Sequence, residues 1–138
     1  ILIRFEIDKD LIEGKIKVSE LPEIWNAKYK EYLGIDVPDD AHGVLQDIHW
    51  SHGSLGYFPT YTMGNLGAAQ VWNAYTKYDP EWKQTLRSGN TGKILAWLTE
   101  NMYQYGSIYQ PKELMKKVTG EELDAKYWLE YVENKYLN

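Results

Sequence analysis

The sequence predicts an all-α, mainly helical chain, and three observations carry that expectation. Apolar residues recur with the 3.6-residue helical period in several segments. Glycines and prolines stand where those segments stop and start. No segment alternates apolar and polar residues clearly enough to be assigned to a strand, although residues 43–50 leave room for a short one.

The first helix is predicted over residues 1–13, with apolar positions 2, 3, 5, 7, 11 and 12, and Gly14 stops it. Ser19 can cap a second helix, with Pro22 tolerated in its first turn. Apolar positions 21, 24, 25, 29, 32 and 33 keep its period, and Gly34 ends it. Residues 36–40, around Pro38, read as a loop. A long helix is predicted over residues 59–78. Its interior Gly64 and Gly67 each cost about 1 kcal/mol relative to Ala, so something is expected to need the space.

Asp79 and Pro80 start a short helix that runs to Arg87, and residues 88–90 form a turn. Asn90 or Thr91 caps a helix that runs to Tyr105, where Gly106 breaks it. Pro111 opens another helix, PKELMKKV, ending at Thr119 and Gly120. The last helix is predicted over residues 122–136, with apolar positions 123, 127, 128, 131, 132 and 136. The Lys and Glu positions beyond residue 110 read as a solvated face.

Composition narrows the function. The chain has 138 residues, one domain's worth, with no internal repeat. It has no cysteine, which removes disulfides, thiolate zinc sites and thiol nucleophiles. The net charge is -5 and the basic residues are scattered, so nucleic acid is not an expected partner. No run approaches the roughly 20 apolar residues of a membrane span. No signal peptide opens the chain, and Ile1 enters a helix without a capping residue, so a fragment of a longer protein is expected. The 12 Tyr and 6 Trp suit both a core and a cleft. Absent Cys with abundant Lys and Glu leans towards a thermostable protein.

Residues 41–65, AHGVLQDIHWSHGSLGYFPTYTMGN, depart from this helical background. They hold all 3 histidines, His42, His49 and His52, with Tyr57, Tyr61 and several glycines. Histidine exchanges a proton near neutral pH. Tyrosine offers a hydroxyl to a developing oxyanion. Such a segment reads as a site built by a loop on a helical scaffold. His49 and His52 could be a metal pair, but their spacing is not that of a helical zinc pair, and Gly53 and Gly56 oppose a helix. A buried histidine satisfying backbone groups, or one bonding a substrate, are the remaining readings. Asp47 either orients an imidazole or caps a turn. Tyr57 and Tyr61, four apart, share a helical face, either as a core pair or as a functional one.

The octapeptide GVLQDIHW, residues 43–50, matches the pattern GxxQDxHW through Gly43, Gln46, Asp47, His49 and Trp50. This resembles the thermostable metallocarboxypeptidase family, whose zinc or cobalt ion is held by an HExxH helix. The segment SHGSLGYFPTYTMGNLGAAQ and the tail GSIYQPKELMKKVTGEELDAKYWLEYVENKY are similar to the family's sequence as well, so the resemblance covers essentially the whole chain. The family's HExxH, third-ligand glutamate, HPF, DxRxT and IRxxAD motifs are not among these residues. The resemblance therefore implies roughly the last quarter of such an enzyme. The fold implied is the C-terminal part of a larger helical HExxH-type peptidase with a central cleft.

The function implied is removal of single residues from peptide C-termini by a metal-activated water. The metal, zinc or cobalt, is bound by the HExxH part and not by this chain. The implied partners are the N-terminal portion of the same enzyme, a peptide substrate and a second copy in a homodimer, in a cytoplasmic enzyme. Among the wider HExxH oligopeptidases a loop HxxxGYxxxY lies over the metal, and His52, Gly56, Tyr57 and Tyr61 stand at those spacings. That similarity implies that His52 and Tyr61 donate to the carbonyl oxygen as it becomes an oxyanion, while Tyr57 orients the peptide; His49 is expected beside them as a substrate-binding residue. The rival readings are a non-catalytic peptide-binding module and a structural helical module.

Overall fold

A computed structural model describes residues 1–137, and among them there are helices and turns but no strand. The chain divides into two compact units, Ile1–Met63 and Gly64 onward, with the division inside one long helix.

In the first unit, α1 (Leu2–Ile12) and α2 (Leu21–Leu33) form the scaffold. Ile3 and Ile7, four apart, share a face of α1, and with Leu21, Trp25 and Val44 they make the buried core. Trp50 packs against this core, edge-on to Trp25 at 6.0 Å between ring centroids. Ser19 does not cap α2. A 3-10 turn, Val18–Glu20, precedes the helix, and the Glu20 carboxylate accepts from the Lys17 backbone N–H at 2.7 Å instead. The strand allowed for residues 43–50 does not form. A 3-10 turn, Val44–Gln46, and the single-turn helix α3 (Ile48–Ser51) occupy that stretch. The Asp47 side chain bonds the His49 backbone N–H, which favours a helical cap over an extended ladder.

The long helix α4 (Phe58–Tyr78) begins one residue before the predicted start. In the second unit it is followed by α5 (Trp82–Arg87), α6 (Gly92–Asn101), α7 (Pro111–Thr119) and α8 (Lys126–Tyr136). Gly67 does need its space, since a Cβ there would lie 3.2 Å from the Met115 methyl carbon. Gly64 has no such neighbour among the described residues.

Three predicted boundaries move, and tertiary bonds explain them. α5 starts at Trp82, because the Asp79 carboxylate is engaged elsewhere. It is buried, and it accepts from Lys93 Nζ at 2.7 Å, the Tyr75 hydroxyl at 3.1 Å and the Thr85 hydroxyl at 3.3 Å. α6 ends at Asn101, whose side chain bonds the Trp97 carbonyl, and a 3-10 turn, Tyr103–Tyr105, replaces the last predicted turn. α8 starts at Lys126 because Gln70, 1% exposed, takes the polar groups of residues 119–124. Its amide nitrogen donates to the Thr119 hydroxyl at 2.9 Å and the Glu122 carbonyl at 3.0 Å, and its oxygen accepts from the Asp124 N–H at 2.9 Å.

Two expected results follow from these buried polar groups. Gln70→Ala leaves the Glu122 carbonyl and Asp124 N–H without their partner, a cost of about 3 kcal/mol, readable in a urea unfolding midpoint. The Lys93 ammonium, followed by the Tyr75 hydroxyl, holds the Asp79 carboxyl below its ordinary value against the opposing effect of burial. A depressed carboxyl stabilises the fold above its unfolded pKa. That contribution is lost as pH falls from about 4 through the folded value. Lys93→Met should therefore flatten the acid limb of a stability-against-pH curve and, because Asp79 holds the Lys93 ammonium above its ordinary value, also remove the loss of stability at strongly alkaline pH.

Candidate functional site

The loop between α3 and α4 is pinned to α1 by a buried carboxylate. Asp8 is 1% exposed. Its Oδ1 accepts from the Trp50 indole N–H at 3.1 Å, and its Oδ2 accepts from the Gly56 backbone N–H at 2.5 Å. Gly56 holds φ at 78°, a left-handed conformation open to glycine, and this turns its N–H towards Asp8. Both ends of residues 50–56 are thus tied to one side chain.

The GxxQDxHW residues have distinct tasks. Gly43 is packed so closely that a Cβ would sit 2.6 Å from a Val37 methyl carbon. The Gln46 amide folds back to donate to the Ala41 carbonyl. Asp47, with its side chain wholly buried, serves both readings weighed for it. Its Oδ1 caps α3 through the His49 N–H at 2.8 Å and also lies 3.2 Å from His49 Nδ1. Its Oδ2 pairs with Arg4 Nε at 2.8 Å. Trp50 is the anchor to Asp8.

His49 stands at the centre of an aromatic cluster. Its ring lies 5.9 Å from His52, 5.5 Å from Tyr57, 4.9 Å from Phe58 and 5.9 Å from Tyr61, centroid to centroid. Phe58, 2% exposed, closes the cluster from inside. Tyr57, just before α4, and Tyr61, in its first turn, pack edge-to-face at 5.3 Å, yet both remain exposed. The His49 Nε2 lies 3.1 Å from the Tyr61 hydroxyl. His52 is exposed, with Nδ1 3.0 Å from the Ser54 hydroxyl.

The four chemistry-bearing residues His49, His52, Tyr57 and Tyr61 thus gather on one exposed surface of the first unit. His42 does not join them. Its Nδ1 pairs with Asp39 at 2.7 Å in a separate, exposed turn. Arg4 and Asp8 were missed in the sequence because α1 read as ordinary helix. The available signal was a charged pair four apart, each residue adjacent to the buried Ile3 and Ile7 positions.

This surface can donate hydrogen bonds and stack against a flat group. It does not assemble a metal centre. Among the described residues no group of three or more His, Asp or Glu side chains is placed to hold an ion. Both ring nitrogens of His49 already face partners, at Asp47 and Tyr61.

The chain matches the family model for carboxypeptidase Taq (M32) metallopeptidase over residues 1–136. It is 44% identical over 137 residues to thermostable carboxypeptidase 1 of Pyrococcus furiosus, covering 99% of this chain and 28% of that protein. It is 42% identical over 138 residues to carboxypeptidase 1 of Bacillus subtilis, with 100% and 28% covered. Among solved structures it superposes on Trypanosoma cruzi metallocarboxypeptidase 1 with a TM-score of 0.93 at 39% identity, covering 99% of this chain and 28% of that one. The Pyrococcus furiosus carboxypeptidase structure gives 0.92 at 44% identity, covering 98% and 27%. The chain therefore spans little more than a quarter of the length of its relatives. Because the match runs through both units, and the fold follows that of the solved carboxypeptidases, this chain belongs to the carboxypeptidase Taq (M32) metallopeptidase family.

Proposed function

We propose that this chain is the C-terminal portion of a metal-dependent carboxypeptidase that releases single amino acids from peptide C-termini. The observation that carries this reading is the family match over residues 1–136, in a chain covering 28% of curated carboxypeptidases. The exposed cluster of His52, Tyr57 and Tyr61 supports a role for this part as one wall of the substrate cleft.

In this reading His52 and Tyr61 donate to the scissile carbonyl oxygen as negative charge gathers on it. Tyr57 orients the peptide, and its exposed ring offers a face for stacking. His49, half-buried at the edge of this surface, is placed to contact the peptide and to hold Tyr61. The metal implied by the family, zinc or cobalt, belongs to the HExxH part, since the side chains here do not fit an ion. The remaining partners are the N-terminal portion, the peptide substrate and a second copy of the complete enzyme in a homodimer. A cytoplasmic location goes with this reading, and no described helix is long and apolar enough to cross a membrane.

The test compares the complete enzyme with the isolated 138-residue chain. A blocked dipeptide with a free C-terminal carboxylate should lose its last residue to the complete enzyme, and the same dipeptide amidated at its C-terminus should not. The isolated chain should cleave neither and retain no equivalent of zinc or cobalt after gel filtration. Cleavage by the isolated chain, or processing of internal bonds by the complete enzyme, would overturn the proposal.

A further inference from the structure

We propose that His49 is a positioning residue whose charge state sets which way the Tyr61 hydroxyl hydrogen points. The inference rests on the oxyanion role just proposed for Tyr61 and adds how that role is controlled.

The argument begins at Asp47. Its buried carboxylate is paired with Arg4 at 2.8 Å through Oδ2 and accepts the His49 backbone N–H at 2.8 Å through Oδ1. An ionised carboxylate can only accept. His49 Nδ1, 3.2 Å from the same Oδ1, must therefore carry a hydrogen. A neutral imidazole carries only one N–H, so Nε2 presents a lone pair. The Tyr61 hydroxyl, 3.1 Å from Nε2, must donate to it.

The consequence concerns the substrate. A phenol has one hydrogen. While His49 is neutral, that hydrogen is committed to Nε2, and Tyr61 turns only lone pairs to a ligand. Lone pairs repel a developing oxyanion. When Nε2 takes a proton from solvent, its new N–H donates to the Tyr61 oxygen. The hydroxyl then rotates about its C–O bond and its hydrogen is free for the substrate. No Tyr61 bond breaks, and the added charge stays on the imidazole.

Several groups face His49 and set this balance. The nearest charged groups are the Asp47 carboxylate and, held at it, the Arg4 guanidinium of α1. His52 and Tyr57 of the same loop face the ring at 5.9 and 5.5 Å, and Tyr61 of α4 faces it at 5.9 Å. Asp8 of α1 acts at one remove, through Trp50.

The experiment uses the complete enzyme with 15N-labelled histidine, followed by NMR across pH, alongside steady-state kinetics. At the alkaline end His49 should show hydrogen on Nδ1 and a bare Nε2. Asp47→Asn, whose amide can donate to Nδ1, should move the hydrogen to Nε2. An Nε2–H form in the unmodified enzyme would overturn the inference, and this reading requires no turnover. In kinetics, the ratio of kcat with Tyr61 to kcat with Phe at that position should approach about 10²–10³ on the acid side of the His49 titration and fall towards unity on the alkaline side. In His49→Gln, which reaches Tyr61 but cannot take a proton, the ratio should not vary with pH. A flat ratio in the unmodified enzyme, or a pH-dependent one in His49→Gln, would also overturn it. Full kcat in Tyr61→Phe at every pH would remove the oxyanion role alone, and the NMR spectrum would still decide the His49 tautomer.

Discussion

In the complete enzyme, Tyr61→Phe, assayed at the acid end of the pH range, and His52→Ala should each lower kcat by about 10²–10³ and leave KM within a few-fold. A donor that meets the carbonyl oxygen only once charge has gathered there stabilises the transition state and not the bound substrate. Its loss therefore appears in kcat. Tyr61→Phe removes one hydroxyl and little volume, so the edge-to-face packing on Tyr57 survives the change. His52 is exposed and bonds only Ser54 among the described residues, so its truncation costs little stability. Tyr57→Phe should show a milder loss, mainly in KM, because its proposed task is to orient the peptide. Steady-state kinetics on a blocked dipeptide, with metal content measured for each variant, checks all three. Wild-type kcat in Tyr61→Phe at every pH, or loss of metal in His52→Ala, would reassign the loop.

The second large effect is expected at Asp8, far from the chemistry in sequence. Asp8→Ala removes the acceptor of both the Trp50 indole N–H and the Gly56 backbone N–H. Hydrogen bonds to a charged group contribute about 1.5–3 kcal/mol each, so the loss should reach about 3–6 kcal/mol. The effect should not stop at stability. Residues 50–56 carry His52 and lead into Tyr57, and Asp8 ties both ends of that stretch to α1. Freed from it, the loop samples other conformations, and both kcat and KM should suffer. Asp8→Asn keeps one acceptor but turns an amide N–H towards a donor, so it should rescue only part of the loss. A differential scanning melt with parallel kinetics checks this. An Asp8→Ala enzyme that melts with the wild type would show that the loop is held by other contacts.

Much of the fold was legible in the sequence because the helices of this chain are written in local signals. The 3.6-residue period of α2, the Pro111 start of α7 and the glycine stops depend on neighbours within a few residues. The family was legible for a related reason, since the octapeptide and its flanking segments are contiguous in the chain. Candidate residues His49, His52, Tyr57 and Tyr61 could be picked out by type and spacing, because a loop rich in glycine, histidine and tyrosine stands apart from helical sequence.

What the sequence could not reveal depends on contacts between residues far apart in the chain. Asp8 meets Gly56 across 48 positions, and Gln70 meets Asp124 across 54. No local pattern marks such pairs, because a buried polar side chain is explained only by the partner that folding brings to it. The late start of α8 follows from Gln70, and that of α5 from the Lys93–Asp79 pair. The same holds inside the site. The sequence by itself determined a helical metallopeptidase segment with a histidine-tyrosine loop. Only the tertiary structure decided that His42 stands apart, that Arg4 and Asp47 orient His49, and that His49 in turn holds Tyr61. Hydrogen-bond direction is a property of a donor and an acceptor in space, and that arrangement exists only once the loop is packed onto α1.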